Sequence, residues 1–270
     1  IAGNAIAKTT EVFASGEVAY LLQQGQEDPA VQVWGQELGK DVSPVLNGVT
    51  VYRHGTTYTN STIEHNFDEN GFCIASCDVY EEPKLVEGVY QIANAGNLYW
   101  FMEYVNAGNG NETANAVLVN DIVVNEGTMT ENSKGVREWF PIGYYYNITG
   151  NGAKEDISYN GTFDGQNHTI SGLYFNSETQ GYVGLFGVIA ENAFIQNVGV
   201  IHSYINCDNT GAASGTDVPV FAGGVCGYNN GGTISNCYNT GAVTGAGRDA
   251  FAGGVCGENY GTITNCYNTG

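Results

Sequence analysis

Residues 221–241 read FAGGVCGYNNGGTISNCYNTG, and residues 251–270 read FAGGVCGENYGTITNCYNTG. A chain that repeats itself at a period of about 20 to 50 residues folds as a solenoid, because each copy is too small to bury its own apolar side and buries it against the next. Phe221 aligns with Phe251, Cys226 with Cys256, Asn236 with Asn265 and Cys237 with Cys266. The last two pairs stand 29 apart rather than 30, since the second copy lacks one glycine of Gly231-Gly232. A more distant copy precedes them, Tyr182-Val-Gly-Leu-Phe-Gly187 followed by Phe194-Ile-Gln-Asn-Val198, which brings Phe186 and Asn197 into the same register.

Within each copy, short runs of Val, Ile, Cys, Tyr and Phe are broken by Gly, Asn and Asn-Thr-Gly. This is the grammar of brief strands joined by corners, with no segment of helical period. Parallel strands ordinarily need a helical crossover, but a coil of strands pairs in parallel by laying each turn on the last. The expected fold is therefore all-β: a right-handed parallel β-helix, a solenoid with short helical caps and a small irregular N-terminal region.

Asparagine tolerates the left-handed conformation, so Asn197, Asn236 and Asn265, each two residues after a β-branched one, are expected to form one repeated corner. Coils stack about 4.8 Å apart, and like side chains then meet like. Asn197, Asn236 and Asn265 should form one ladder, Cys226 and Cys256 another beside Phe186, and Cys237 and Cys266 a third beside Val198. The spacing lies within the Cα range of a disulfide, but parallel Cβ vectors make the bond geometry poor, so reduced, buried thiols are expected. Upstream, Gly161-Thr-Phe-Asp-Gly-Gln-Asn-His-Thr-Ile-Ser-Gly-Leu-Tyr-Phe175 has the same grammar, with Phe163, Ile170, Leu173 and Phe175 pointing inward. Residues 115–124 read as strands of a first rung and residues 128–134 as a polar loop.

Helical signals lie outside the repeats. In residues 94–108, Leu98, Phe101, Met102 and Val105 share one helical face, with Asn94 as N-cap and Gly108 past the end, which predicts a helix over about 94–107 that lids the raw end of the solenoid. Ser15 precedes a second amphipathic stretch carrying Glu17, Val18, Leu21 and Leu22. Three regions follow: a cap-like segment over 1–50, a cysteine-containing linker or short strand pair over 51–87, and the β-helix over 88–270, with its clearest rungs over 161–270. No run approaches the roughly 20 apolar residues of a membrane helix. Ile1 follows no basic and apolar leader, as expected of a processed or excised chain.

A net charge of −20 repels phosphate backbones and anionic lipid, so nucleic acid and membrane insertion are excluded as partners. The 39 glycines and 18 tyrosines suit turns and strands. Some β-helices cleave polysaccharides with clustered carboxylates and a basic residue. Here Arg248 is the single basic residue over 155–270, and the acids are scattered, so the chain is expected not to be an enzyme. The one metal-like constellation is His65, Cys73 and Cys77, with His54 as a fourth ligand. Its Cys-x-x-x-Cys spacing departs from the usual zinc pair, and a Cys73–Cys77 disulfide or two free thiols is the competing reading. Asp68-Glu-Asn-Gly71 has the flavour of a calcium loop but lacks the further ligand positions, so neither zinc nor calcium is expected as a resident cofactor. His168 and His202 read as surface or turn residues. Tyr144-Tyr-Tyr146 and Tyr228 suit stacking on sugars or contact with protein, or are simply strand residues.

Val183-Gly-Leu-Phe-Gly187, Gly223-Gly-Val-Cys-Gly227 and Gly253-Gly-Val-Cys-Gly257 resemble the GLUG-type repeat. That repeat occurs in secreted bacterial surface proteins, adhesin-like ones among them, and beside immunoglobulin-A-specific metallopeptidases. The resemblance covers 161–270, and residues 88–101 look like the lead-in that precedes such arrays. Residues 8–46 look like what usually follows an array, although here they come first, as in a cut from a tandem protein or an exchange of caps between copies. The resemblance implies an extracellular or cell-surface structural or adhesive module. The rung that stops at Gly270 leaves strand edges and core to be covered, and residues 1–50 of another copy are the candidate cover, so head-to-tail self-association into a filament is expected. The module's partners would be other copies, adjacent modules of a longer chain, or a host glycan or protein. The alternative is a carbohydrate-binding or carbohydrate-active β-helix. No His-Glu-x-x-His is present, so the peptidase activity does not carry over.

Overall fold

The computed structural model describes residues 9–24, 34–54, 57–60, 65–75, 79–147, 154–178, 181–210, 219–247 and 249–270. The chain forms two compact units, residues 1–68 with 72–79, and residues 69–71 with 80–270.

In the first unit, α1 (Thr10–Ala14) is capped by Thr9, whose Oγ1 accepts from the Val12 amide at 3.4 Å. Helix α2 (Glu17–Gln24) follows after Gly16, which takes a left-handed φ of 92°. The sequence shows only the second of these helices. Ser15 closes α1 and accepts from the Glu17 amide, so one residue serves both helices and masks the break. Strands β1 (Trp34–Gly35) and β2 (Val45–Leu46) pair antiparallel where irregular chain is expected, and β3 (Tyr52–His54) forms a hairpin with β4 (Thr57–Thr59). Buried Gln36 ties this unit together by donating to the carbonyls of Phe13 and Asp41 at 2.9 and 3.0 Å.

The second unit is mostly strand, laid down as stacked coils. It opens with the antiparallel pair β5 (Lys84–Val86) and β6 (Val89–Ile92), so the solenoid's sheet reaches back before residue 88. Helix α3 (Ala95–Asn106) is capped by Asn94, whose Oδ1 accepts from the Asn97 amide at 2.8 Å. The helix buries Leu98, Phe101, Met102 and Val105. Strand β7 (Asn115–Leu118) pairs in parallel with β6, and β8 (Ile122–Val123) continues the coil. The chain then completes that coil without regular strands. Trp139 donates its amide to Tyr174, Ile142 to Leu185 and Tyr159 to Val188, at 2.7, 3.0 and 3.0 Å, so this irregular stretch runs directly over the next coil. A hairpin of β9 (Tyr144–Asn147) and β10 (Lys154–Ile157) is inserted in it.

The following coils share one plan. The first has β11 (Thr162–Asp164), β12 (Thr169–Ser171), β13 (Tyr174–Ser177), β14 (Tyr182–Val183) and β15 (Phe186–Ile189). The second has β16 (Phe194–Gln196), β17 (Gly199–Ile201), β18 (Tyr204–Asp208), β19 (Val220–Gly223) and β20 (Cys226–Asn229). The third has β21 (Thr233–Ser235), β22 (Tyr238–Asn239), β23 (Ala242–Ala246), β24 (Ala250–Gly253) and β25 (Cys256–Asn259), and β26 (Thr262–Thr264) and β27 (Tyr267–Asn268) begin the next. Equivalent strands pair in parallel and in register, giving a seven-stranded sheet in the order β26-β21-β16-β11-β7-β6-β5 and a five-stranded one in the order β27-β22-β17-β12-β8. The sheets β13-β18-β23 and β14-β19-β24 enclose a core of their own, made by Phe175, Val183, Ile205, Cys207, Val220 and Ala222.

The Gly-Gly-Val-Cys-Gly signature is explained by a backbone crossing. A Cβ on Gly227 would lie 2.7 Å from both the Phe221 carbonyl oxygen and the Val183 nitrogen, so strand β20 can pass its neighbours this closely only without a side chain.

Candidate functional site

The repeated positions form ladders that run from coil to coil. Asn197, Asn236 and Asn265 take left-handed φ angles of 53°, 52° and 52°, and their amides are joined. Asn265 Nδ2 donates to Asn236 Oδ1 at 3.3 Å, and Asn236 Nδ2 donates to Asn197 Oδ1 at 3.1 Å. Asn197 Nδ2 then donates to Asp164 Oδ1 at 3.0 Å, while Gln196 Nε2 donates to Asp164 Oδ2 at 2.9 Å. The carboxylate of Asp164, an acceptor only, thus heads a row of amides that all donate toward it. Its position one coil above is what marks it, a relation that no spacing within the motif reveals.

A second kind of amide ladder lies inside and points the other way. Asn239 is fully buried; its Nδ2 donates to Asn268 Oδ1 at 2.8 Å and to the Gly241 carbonyl at 2.7 Å, and its Oδ1 accepts from the Gly241 amide at 3.1 Å. Asn229, also fully buried, donates to Asn259 Oδ1 at 2.7 Å and to the Gly232 carbonyl at 3.0 Å. On the coil before, Val200 takes the place of Asn239 and Ile189 that of Asn229. Asn229 Oδ1 is accordingly buried with no hydrogen-bond partner.

Aromatic rings stack as well. Tyr182, Phe221 and Phe251 follow one another at 5.2 and 5.5 Å, and Tyr228 leans on Phe221 at 5.3 Å. Tyr238 and Tyr267 lie 5.0 Å apart and within 3° of parallel, and Tyr174 and Tyr204 stack at 5.8 Å. Phe221 with Phe251 and Tyr238 with Tyr267 cover one face of each other, while the outermost rings, Phe251 and Tyr267, stay exposed. Tyr144 meets Phe140 edge-on at 6.2 Å, and the side chains of Tyr145 and Tyr146 lie outside the described residues.

Cys226 stands between Phe186 and Cys256 in the β15-β20-β25 register. Cys237 and Cys266 immediately precede the paired Tyr238 and Tyr267, and the Cys237 amide donates to Cys266 Sγ at 3.4 Å. All four are free thiols. Cys226 and Cys237 are buried, but Cys256 and Cys266 are only half-buried, because the outermost described coil is covered from one side. The facing thiols share protons unequally: the hydrogen bond to Cys266 pushes the Cys237 thiol up and, reciprocally, holds Cys266 low. Burial pushes Cys226 up, and its hydrogen bond lowers Cys256.

Of the metal-like constellation, His65 and Cys73 fall among the described residues. His65 Nδ1 lies 3.6 Å from Cys73 Sγ, but Cys73 is disulfide-bonded and offers no thiolate. Cys77 and the side chain of His54 lie outside the described residues. Asp68 Oδ1 accepts from the Phe72 amide at 2.9 Å, as a turn carboxylate does. Among the described residues no group of three or more His, Cys, Asp and Glu side chains is placed to hold a metal ion. His168 faces Asp121 at 3.2 Å, and the Thr169 amide, followed by His168, holds the Asp121 carboxyl below its usual range. His202 sits at a left-handed corner, with φ at 53°. Among the described residues no helix is long and apolar enough to cross a membrane.

Residues 222–244, from Ala222 in β19 to Thr244 in β23, match the family model of the GLUG motif. Neither a curated protein nor a solved structure matches the chain.

Proposed function

We propose that this chain, which carries a GLUG repeat at 222–244, is a non-enzymatic structural module of a secreted bacterial surface protein, its coils wound as a right-handed β-helix. One observation carries the reading: polar and aromatic side chains at the repeated positions are spent on their equivalents in the next coil. Asparagine meets asparagine and tyrosine meets tyrosine, which is the economy of a scaffold. The acids follow suit. Asp164 anchors a ladder, Asp121 holds the Thr169 amide, Asp208 holds the Thr210 amide and Glu258 accepts from Tyr260. A cell-surface position and a stalk-like or adhesive role belong to the same proposal, supported by the resemblance to GLUG-type repeats.

Self-association belongs to the same proposal. Asn265, Tyr267 and Asn268 repeat the register of the coil before, so a further coil, in adjoining sequence or in a second copy, meets matching groups. Sedimentation over a concentration series, run beside a polysaccharide panel, tests this. A mass that grows with concentration, with no polysaccharide shortened, is expected. A monomer at every concentration removes the head-to-tail element. Saturable glycan binding or release of new sugar ends replaces the structural reading with the carbohydrate one.

A further inference from the structure

We propose that the facing thiol pairs Cys226–Cys256 and Cys237–Cys266 are two-coordinate sites for a soft monovalent metal ion, copper(I) by its chemistry. The argument begins with register. Cys226 is the direct partner of Cys256 on adjacent parallel strands, and Cys237 and Cys266 sit one residue before another such pair. Cys237 Sγ and Cys266 Sγ each lie 3.2 Å from the carbonyl oxygen two residues back, in Ser235 and Thr264, so the two side chains adopt one conformation. Two sulfurs in the same conformation on in-register strands are offset by one strand spacing, about 4.7–4.9 Å.

That offset selects what can bridge them. A disulfide needs Cβ atoms about 3.5–4.5 Å apart and turned toward each other, which parallel side chains one strand apart do not supply. A metal between the sulfurs needs two metal–thiolate bonds of about 2.3 Å, or about 4.6 Å end to end, which they do. With two sulfurs and no third His, Cys, Asp or Glu placed beside them among the described residues, zinc's four positions stay unfilled. Thiolate-rich sites of low coordination select copper(I) instead.

One sulfur of the second pair, Cys266, is also prepared to ionise. The Cys237 amide donates to Cys266 Sγ, and a donor aimed at sulfur favours the thiolate. On binding, each thiol releases its proton to solvent and gives a sulfur lone pair to the ion. No electron is transferred and no oxidant is needed. Cys207 serves as the internal contrast, because it is buried opposite Gly245 and has no facing sulfur.

The experiment is an anaerobic titration with copper(I), buffered by a chromogenic chelator and without thiol reductant, so that Cys73 stays disulfide-bonded. One ion per facing pair is expected. Cys266→Ser and Cys256→Ser should each halve the stoichiometry, Cys207→Ala should leave it unchanged, and X-ray absorption should read two sulfur neighbours per copper. Both serine positions are half-buried, and circular dichroism verifies their folding; if either fails, Cys266→Ala or Cys256→Ala carries the same stoichiometric test. Uptake that survives the loss of both pairs overturns the proposal, as does uptake no greater than that of the double variant. Air oxidation that joins Cys237 to Cys266, found by peptide mapping, also overturns it, since the sulfurs would then approach more closely than the strands allow.

Discussion

Along residues 115–189 the inward positions are held by Trp139, Ile142, Tyr159, Phe163 and Phe186, and hardly any residue type recurs from one coil to the next. Along residues 194–268 the equivalent positions carry Ile above Ile, Cys above Cys and Asn above Asn. Both stretches follow the same coiled path. Stacking of the backbone therefore does not require identity; certain side chains do. Rings and aliphatic groups pack against any apolar neighbour of suitable volume, whereas a buried amide is satisfied only by a complementary donor or acceptor, and another amide in register supplies both. Repetition appears where the interior turns polar.

The largest expected effect tests the apolar half of this contrast. Phe163 lies between Phe101 and Phe186 at 6.2 and 5.3 Å and is fully buried. Phe163→Ala should cost about 3–5 kcal/mol in chemical denaturation. A loss below about 1 kcal/mol would mean that the early coils are held by something other than their rings.

How much of this is legible in the sequence follows the same division. The repeat itself, the left-handed asparagine corner, the inward Phe163, Ile170 and Leu173 and the cap helix all follow from period, residue chemistry and capping. Three features do not. Asn229 and Asn239 lie in the same Asn-Gly-rich wording as the corner asparagines, and no local signal separates a buried amide from a turn amide. Asp164 heads the outer ladder from a coil whose wording differs. Residues 125–143 complete a coil with no strand pattern, because their hydrogen bonds run to Tyr174 and Leu185 rather than within a regular ladder. Each of these is a long-range relation between coils, and local grammar does not encode it.

The junction between the two stretches offers a sharper test. Asn229 Oδ1 is buried against Ile189 and without a partner. Ile189→Asn would place an amide there and give that oxygen a donor, whereas Ile195→Asn, equally buried, would strand a new amide among apolar side chains. The first substitution should cost about 1–3 kcal/mol less than the second. Equal costs would show that the inner ladder cannot be extended by one coil.

Alkaline pH separates the thiols of the later coils by their surroundings. Burial, with Asp208 adding to it, pushes the Cys207 thiol from its ordinary 9.0 up to about 12, while Cys266 is held low by the thiol it faces. With a raised folded value, the contribution of Cys207 is intact below pH 9.0 and is lost as pH rises through about 12. Denaturation midpoints should therefore fall across that window, and less steeply in Cys207→Ala. Iodoacetamide should label Cys266 at a pH where Cys207 stays intact. Simultaneous labelling would place both in one environment.

The smallest effect lies on the outer ladder, where solvent competes for every bond. Asn236 contributes two things there, a left-handed backbone and one link in the row of amides that ends at Asp164. Asn236→Gly removes the link but keeps the backbone free to turn, so it should cost only about 0.5–1.5 kcal/mol. Asn236→Ala removes the link and also forces a Cβ into the left-handed region, which adds about 1 kcal/mol. Alanine should thus be the worse of the two in thermal denaturation. If glycine proves as costly as alanine, the asparagine corner is kept for its hydrogen bonds alone, and the outer ladder would hold the coils as the inner one does.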